Sequence, residues 1–441
     1  MGLMPRAGRH GTLTRSTCLD YFAMCVLVER WLNLGPPTAL FPLTTVGTMG
    51  HVKRWMEKQD ESGFRSDRYF DDVCEDCIGD PALAVFVSRN GPIAKCDFCD
   101  STESNGMTVG DLFHYMAGCL AAEWDDPINE VGWDKGFDSF VRILDSDDLL
   151  GVVDDPLKNE DLYWEFVSAF QHQWCQRSPY RLEHSEMLLH SWARFAEVTM
   201  TRKRFLMHRG RSAAASNDEL LDPSEVLDAL GSAIGQAEWR MVGRTSEVAI
   251  VRARSHPIEE NHDTPEALGS PPSSAAAHNR MSGAGIAMFY GAGTDATATA
   301  EIRPGTDEAV TLATWRPARE LVYLDLLGAR PIPSLFDMTA RTDRTWLRFL
   351  AAFSDDLAKP IESDTSQVEY IPTQIVTEFV RDHLTTSDGR SFDAIRYRSA
   401  ADEPDGVCWV VFAEQSECGS DHDGIGRMLL LDSASIRRRD P

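Results

Sequence analysis

The sequence lacks both a long apolar run and a surplus of positive charge. Its N-terminal apolar stretch, Tyr21–Val28, ends after eight residues at Glu29 and Arg30, whereas a membrane-spanning helix needs about 20 apolar residues. Asp and Glu number 69 against 43 Lys and Arg, and the formal net charge is -26 at pH 7. A chain this acidic does not favour electrostatic capture of a phosphate backbone. Neither a membrane nor a nucleic acid is therefore expected as a partner.

A secretory signal is also missing, because no small-residue cleavage site closely follows the apolar stretch. We therefore expect a cytoplasmic protein. Residues 1–58 are interpreted as an N-terminal extension that arises from a start codon set upstream of Met49 or Met56, with a dispensable helix as the alternative. We expect residues 1–48 to add little to the fold. With 441 residues, 43% of them hydrophobic, the chain can form two or three domains with sizeable cores.

Four of the ten cysteines form two CxxC pairs, Cys74 with Cys77 and Cys96 with Cys99. Each CxxC pair can lie on a tight turn that directs two thiolates at one point, and two such turns supply the four sulfurs of a tetrahedral zinc site. A redox CxxC is the alternative, but it would not need the second pair. Because all four positions are filled by protein, we expect a structural Zn²⁺ that folds a polar segment.

The distribution of residues along the chain predicts an α+β protein. Helical spacing of apolar residues dominates before residue 212, whereas short strands and helices mix in no regular order after residue 247. The long Pro/Ser/Ala-rich segment 255–279 is expected to be a functional loop or lid. The predicted domains are the extension 1–58, a zinc ribbon 59–105, a helical domain 106–212, a helical connector 213–247, an α+β domain 248–414 and a polar tail 415–441.

Two arginines stand out on the first predicted strand of the α+β domain. Arg252 and Arg254 share one strand face with Val248 and Ile250, because strand side chains alternate. Burying two neighbouring cations is costly unless an anion meets them, and a dinucleotide pyrophosphate would serve. The alternative is that they are surface charges of an edge strand, which the sequence alone leaves equally open.

The helical part resembles the HEPN/RES N-terminal domain. The resemblance rests on the CxxC–CxxC ribbon with "CIGD" and on helices that end in "SWARF" and "RKRFLMHR". HEPN proteins often carry a ribonuclease motif, for which Arg202 and His208 have roughly suitable spacing, although Lys203 departs from the usual polar residue. A solvated helix terminus is the favoured interpretation of these residues.

The second half is similar to the RES domain over about residues 248–414. The motifs "IVRAR", "NRMSGAGIAMFYGAGTDATATAEIRP", "LVYLDL", "YIPTQIVTEFVR", "DAIRYRS" and "VCWVVFAE" occur in the order of that family. The resemblance implies an ADP-ribosyltransferase-like fold and an enzyme that degrades NAD⁺, often a bacterial toxin restrained by an antitoxin. The matching residues are Arg252, Arg280, Tyr290, Glu301 and, for the serine, Ser399 with Thr373 as second choice.

The implied roles suit cleavage of the nicotinamide–ribose bond, whose transition state is oxocarbenium-like. Glu301 would steady the developing positive charge, while Arg252 with Arg280 or Arg254 would hold the pyrophosphate and Tyr290 would form an aromatic wall. Water and phosphate remain open as acceptors. The alternative functions are transfer of ADP-ribose to a macromolecule, a HEPN-type ribonuclease, and a non-catalytic interaction protein. An antitoxin or regulatory protein is the expected protein partner.

Overall fold

The computed structural model describes residues 64–131, 133–134, 139–140, 143–171, 173–179, 181–205, 219–359, 366–401, 406–420 and 426–441. The predicted extension 1–58 and His208 lie outside the described residues.

Short elements make up the first part of the chain. They are β1 (Asp72–Cys74), α1 (Pro81–Ser88), β2 (Gly106–Thr108), α2 (Val109–Leu120), β3 (Trp124–Asp125), α3 (Pro127–Glu130), β4 (Trp133–Asp134), β5 (Ser139–Phe140), β6 (Ile143–Leu144), α4 (Ser146–Val152), α5 (Glu160–Ala169), β7 (Trp174–Gln176) and α6 (His184–Thr201). Side-chain caps define where several helices begin: Asp80 accepts from the Leu83 amide at α1, and Thr108 accepts from the Asp111 amide at α2.

The second half carries one large sheet and most of the helices that cover it. Its elements are α7 (Val226–Gln236), α8 (Glu238–Met241), β8 (Val242–Thr245), β9 (Ile250–Pro257), α9 (Pro265–Leu268), β10 (Phe289–Ala292), α10 (Asp295–Ile302), β11 (Glu308–Pro317), β12 (Leu321–Asp325), α11 (Arg341–Ala358), α12 (Ser366–Glu369), α13 (Ile371–Asp382), β13 (Ala394–Arg398), β14 (Val407–Val411), β15 (Cys418–Ser420) and β16 (Leu429–Arg439).

Nine strands form a mixed sheet in the order β15-β16-β11-β9-β10-β14-β13-β12-β8. Neighbours are antiparallel except for β12 with β13 and β15 with β16, which are parallel. The α+β class predicted from the sequence is confirmed. Between β9 and β10 a single position is paired, Ala292 with Val251, so the sheet opens beside that pair.

Alternation along the central strands separates two hydrophobic cores. Tyr397, Cys408 and Val410 point to one face, where α6, α7, α11 and α13 pack, while Trp409 and Val411 point to the other. On α6 the residues that enter the shared core are Leu188, Trp192 and Phe195, which have helical spacing. One core therefore contains side chains from both halves of the chain.

Two segments differ from their predicted form. Residues 429–439 form strand β16 against β11, with Leu429 and Leu431 buried, where the sequence predicts a polar tail. Apolar residues alternate only at the start of this strand, so the pattern is too short to indicate a strand by itself. The predicted loop 255–279 begins as part of β9 and is anchored further on by buried Leu268 and Ser270, whose hydroxyl donates to the Ala413 carbonyl at 2.7 Å.

Candidate functional site

The four cysteines of the two CxxC pairs come together as predicted. The Sγ atoms of Cys74 and Cys99 are 3.4 Å apart, those of Cys77 and Cys96 are 3.7 Å apart, and those of Cys74 and Cys77 are 3.8 Å apart. All four lie within 4.8 Å of one another. None of the four is in a disulfide.

Local structure explains this convergence. Cys74 ends β1, Cys77 ends a short 3-10 turn, and the second pair lies on a turn in which the Asp100 amide donates to the Cys96 carbonyl. Zinc–sulfur bonds of about 2.3 Å in a tetrahedron place the sulfurs about 3.8 Å apart. The cluster therefore fits a metal ion such as zinc bound by four thiolates.

Helix α10 contributes Glu301 to the lining of a cavity of about 420 Å³. The helix begins at Thr294, whose hydroxyl accepts from the Thr297 amide, and its buried Ala298 packs against Val251 and Ala292. Small side chains at this contact bring the helix close to the sheet. Glu301 itself is exposed, so its carboxylate is accessible to a ligand in the cavity.

Two donors meet one oxygen of Glu301. The Ser399 hydroxyl donates to Oε1 at 2.5 Å, and the Cys408 thiol donates to the same atom at 3.3 Å. Ser399 is fully buried just beyond β13 and accepts from the Ala401 amide at 3.1 Å. Of the two predicted candidates for the serine position, Ser399 is the one that contacts Glu301.

A row of four paired residues forms the floor of the cavity. Val251, Ala292, Cys408 and Tyr397 are register partners across β9, β10, β14 and β13, so their side chains lie on one face of the sheet. All four line the cavity. The cavity thus lies where the ladder between β9 and β10 opens.

Arg252 and Arg254 also line this cavity, and both are largely removed from water. Arg252 is 7% exposed, its guanidinium stacks on the Phe289 ring, and its Nη1 donates to the Tyr290 carbonyl at 2.7 Å. The Nη2 of Arg254 donates to the Gly269 carbonyl at 3.2 Å.

Within the described part of the chain, the two guanidinium groups have no opposite charge beside them. No carboxylate among the described residues pairs with either arginine, and the Nε atom of each is buried without a hydrogen-bond acceptor. Burial lowers the pKa of both, and the neighbouring charge of Arg254 lowers that of Arg252 further. Such a pair is stabilised when an anion enters the cavity.

Tyr290 stands at the same opening. Its hydroxyl shares a hydrogen bond of 2.8 Å with the Ser282 hydroxyl. Burial raises the pKa of Tyr290 well above its usual range, so the ring stays neutral. An uncharged aromatic ring in the cavity lining can pack against a flat ligand.

Arg280 and Thr373 support the site rather than line the cavity. The guanidinium of Arg280 donates to the Leu357 carbonyl and, at 3.0 Å, to the Lys359 carbonyl, both at the end of α11. A cation there complements the helix dipole. The Thr373 hydroxyl donates to the Arg280 carbonyl at 2.6 Å. The predicted contact of Arg280 with substrate therefore has no counterpart in the cavity lining.

Two residues that line the cavity, Tyr397 and Cys408, are not among the residues predicted from the sequence. Tyr397 lies two residues before Ser399, so strand alternation was a usable signal for it. Cys408 lies within an apolar strand, where a thiol is indistinguishable from a packing residue.

The predicted HEPN ribonuclease pair is only half within the described residues. Arg202 is exposed just after α6, whereas His208 lies outside the described ranges.

Among the described helices none is both long and apolar enough to cross a membrane.

Comparison with protein families identifies two matches. Residues 89–213 match HEPN/RES N-terminal domain 1, and residues 250–429 match the RES domain. Neither the curated proteins nor the solved structures that were compared contain a match. The RES match includes every cavity residue described above and ends at the first residue of β16.

Proposed function

We propose that this protein is an enzyme that cleaves NAD⁺ at the nicotinamide–ribose bond. The chain carries a HEPN/RES N-terminal domain and a RES domain, and the RES family is associated with NAD⁺-degrading toxins. The observation that carries the proposal is the cavity itself. Glu301 lines the same cavity as buried Arg252 and half-buried Arg254, and neither arginine has an acidic partner among the described residues. A dinucleotide offers a diphosphate for the cations and a developing positive charge for the carboxylate.

Glu301 stabilises the charge that develops while the nicotinamide–ribose bond breaks. The electron pair of the bond between the ribose carbon and the nicotinamide nitrogen leaves with the nitrogen, and nicotinamide departs as a neutral base without needing a general acid. An oxygen of water, which then loses a proton, or of phosphate forms the new bond. Positive charge builds on the ribose meanwhile, and a preorganised carboxylate stabilises that charge.

The other residues of the site bind NAD⁺ and orient it in the cavity. Arg252 and Arg254 hold the diphosphate, and Tyr290 packs against the nicotinamide ring. Arg280 and Thr373 act indirectly, because their hydrogen bonds fix the segment that carries Ser282, the partner of the Tyr290 hydroxyl.

Product analysis tests the reaction. Purified protein incubated with NAD⁺ is expected to release nicotinamide together with ADP-ribose, or with ADP-ribose 1″-phosphate when phosphate is the acceptor. Parallel incubations with and without phosphate separate these two products. Label from NAD⁺ that appears on a protein or nucleic acid would instead support ADP-ribose transfer. Intact NAD⁺ after prolonged incubation would contradict the proposal.

For the four-cysteine cluster we propose Zn²⁺ as the bound ion. The sulfur–sulfur distances of 3.4–3.8 Å suit a zinc tetrathiolate, and a closed set of four ligands suits a structural role. Elemental analysis is expected to find one zinc per chain. Cys77→Ser should lose the zinc and lower the melting temperature, whereas Cys175→Ser, at a buried cysteine outside the cluster, should keep the zinc. A zinc-free native protein would contradict this assignment.

Restraint by an antitoxin or regulatory protein is proposed to act through the N-terminal half. Arg344 and Arg348 of α11 pair with Glu123, and Arg348 also pairs with Glu183. The last carbonyls of α11 in turn hold Arg280. A protein bound to the first half therefore has a physical connection to the cavity. Replacement of Arg348 by Ala should change NAD⁺ turnover, and unchanged turnover would count against this connection.

A further inference from the structure

We propose that Cys408 is a positioning residue that, together with Ser399, holds Oε1 of Glu301 and so reserves Oε2 for the substrate. The proposal rests on the function proposed above. It adds a residue that acts through Glu301 rather than on the substrate.

The geometry of the two donors carries the inference. Ser399 reaches Glu301 from the end of β13, and Cys408 reaches it from β14, so the two donors approach from different strands. Both donate to Oε1, which has two lone pairs to accept them. Among the residues that the structure describes, no hydrogen bond reaches Oε2. Within the described ranges, one carboxylate oxygen thus accepts two hydrogen bonds and the other accepts none.

Cys408 is suited to donate rather than to attack. Burial, followed by the negative charge of Glu301, raises its pKa well above the usual range, so the sulfur keeps its hydrogen at neutral pH. The residue is only 2% exposed, yet it lines the cavity. A protonated thiol in that place is a weak hydrogen-bond donor and a poor nucleophile.

The two donors restrict a side chain that is otherwise free to move. Glu301 is exposed on a helix of eight residues, where a long side chain samples several rotamers. Without one donor the carboxylate is held less firmly, and a misplaced catalytic group lowers turnover more than substrate binding.

Kinetics of three variants test this role. Cys408→Ala removes the donor and is expected to lower kcat roughly 10-fold with little change in KM, within the range that misplacement of a catalytic group costs. Cys408→Ser keeps a donor of similar size and should restore most of the turnover. Thermal unfolding of each variant identifies any loss of fold. A folded Cys408→Ala with wild-type kcat would overturn the proposal, as would equal loss in the Ala and Ser variants.

Thiol reactivity tests the same contact without any activity measurement. The rate of Cys408 alkylation by iodoacetamide, followed by mass spectrometry of its peptide, should rise several-fold in Glu301→Gln. Burial still raises the thiol pKa in this variant, but the additional rise from the negative charge of Glu301 is gone. Ser399→Ala keeps that charge and is the matched control, so its rate should rise less. Equal rates in wild type and Glu301→Gln would overturn the contact. A wild-type protein that leaves NAD⁺ intact would sink the proposed function, while these rates would still decide whether Cys408 contacts Glu301.

Discussion

Glu301 combines an exposed position with a restricted carboxylate. Its Oε1 meets a hydroxyl and a thiol that reach it from neighbouring parts of the sheet. An exposed glutamate without such partners would lose side-chain conformational entropy each time the transition state formed, which raises the barrier. The hydrogen bonds supply that order in advance, which is what electrostatic catalysis requires.

Glu301→Gln should therefore lower kcat by roughly 100- to 1000-fold, the usual cost of losing one preorganised electrostatic partner. KM should change little, because the charge that Glu301 stabilises exists mainly in the transition state. Steady-state kinetics with NAD⁺ measure both constants. Near-wild-type turnover in this variant would require the role of Glu301 to be withdrawn.

Arg252 should respond to substitution in the opposite way. It would hold phosphate in both the ground state and the transition state, so Arg252→Ala is expected to raise KM at least 10-fold, with a smaller loss in kcat. Arg252→Lys should not restore binding, because an ammonium group cannot reproduce the planar fork that also reaches the Tyr290 carbonyl. Calorimetric titration with ADP-ribose measures the binding affinity separately from turnover. Unchanged ADP-ribose affinity in Arg252→Ala would contradict the role.

The sequence located some of these residues better than others. Glu301 and Tyr290 follow from ordered motifs, and strand alternation correctly grouped Arg252 with Arg254. The acceptors of Arg280 could not be foreseen, because they are backbone carbonyls about 80 residues away whose position depends on how α11 packs. Contacts of this kind are set by tertiary structure and have no local signature.

At the scale of elements, the close approach of β9 to β10 beside the opening depends on one glycine. A Cβ atom at Gly291 would lie 2.5 Å from Cγ2 of Ile250 and 2.9 Å from the Val251 carbonyl oxygen. Gly291→Ala should therefore push β9 away from β10, with a loss of about 1–3 kcal/mol in the free energy of unfolding and a distorted cavity. Urea unfolding and NAD⁺ turnover measure the two effects.

Gly293 offers a matched control on the same segment. A Cβ atom there would lie 3.7 Å from the Val407 Cβ and 3.9 Å from its carbonyl oxygen, which are ordinary contacts. Gly293→Ala should leave stability and turnover near the wild-type values. Equal losses in both variants would mean that the close approach at Gly291 does not matter.

The elements themselves were predictable where the apolar period was long. The helix at Asp295–Ile302 begins at Thr294, whose side chain caps it by accepting from the Thr297 amide, and a threonine before a helix is a local signal for its start. Strand β16 was not predicted, because after Leu429 and Leu431 the residues from Asp432 to Ser435 interrupt the alternation at an irregular part of the ladder with β11. Strand β16 therefore forms because it pairs with β11, and its own residue pattern does not indicate it.

On the largest scale that the described residues reach, the two halves of the chain share one core. Leu188, Trp192 and Phe195 of α6 pack with residues of α7, α11 and α13, and the Trp192 indole donates to Asp356 at 2.8 Å. Their burial contributes roughly 1.5–3 kcal/mol per large side chain. The core therefore extends across the segment between the two family matches.

A fragment of residues 184–441 should consequently fold, whereas a fragment of residues 240–441 should not. The shorter fragment lacks α6 and α7 and exposes the apolar faces of α11 and α13. Circular dichroism and the heat capacity change on unfolding distinguish the two. A cooperative thermal transition in the shorter fragment would show that the shared core is dispensable.

Shared packing of this kind also restricts how the two segments can be exchanged by recombination. Residues 89–213 and 250–429 match separate families, yet Trp192 from the first and Phe353 from the second meet with ring centroids 4.8 Å apart. A recombination event with its junction between residues 213 and 250 would join two surfaces that had not been selected together. The two segments of this chain should therefore be transmitted as one genetic unit, and substitutions on α6 should be accompanied by compensating substitutions on α11.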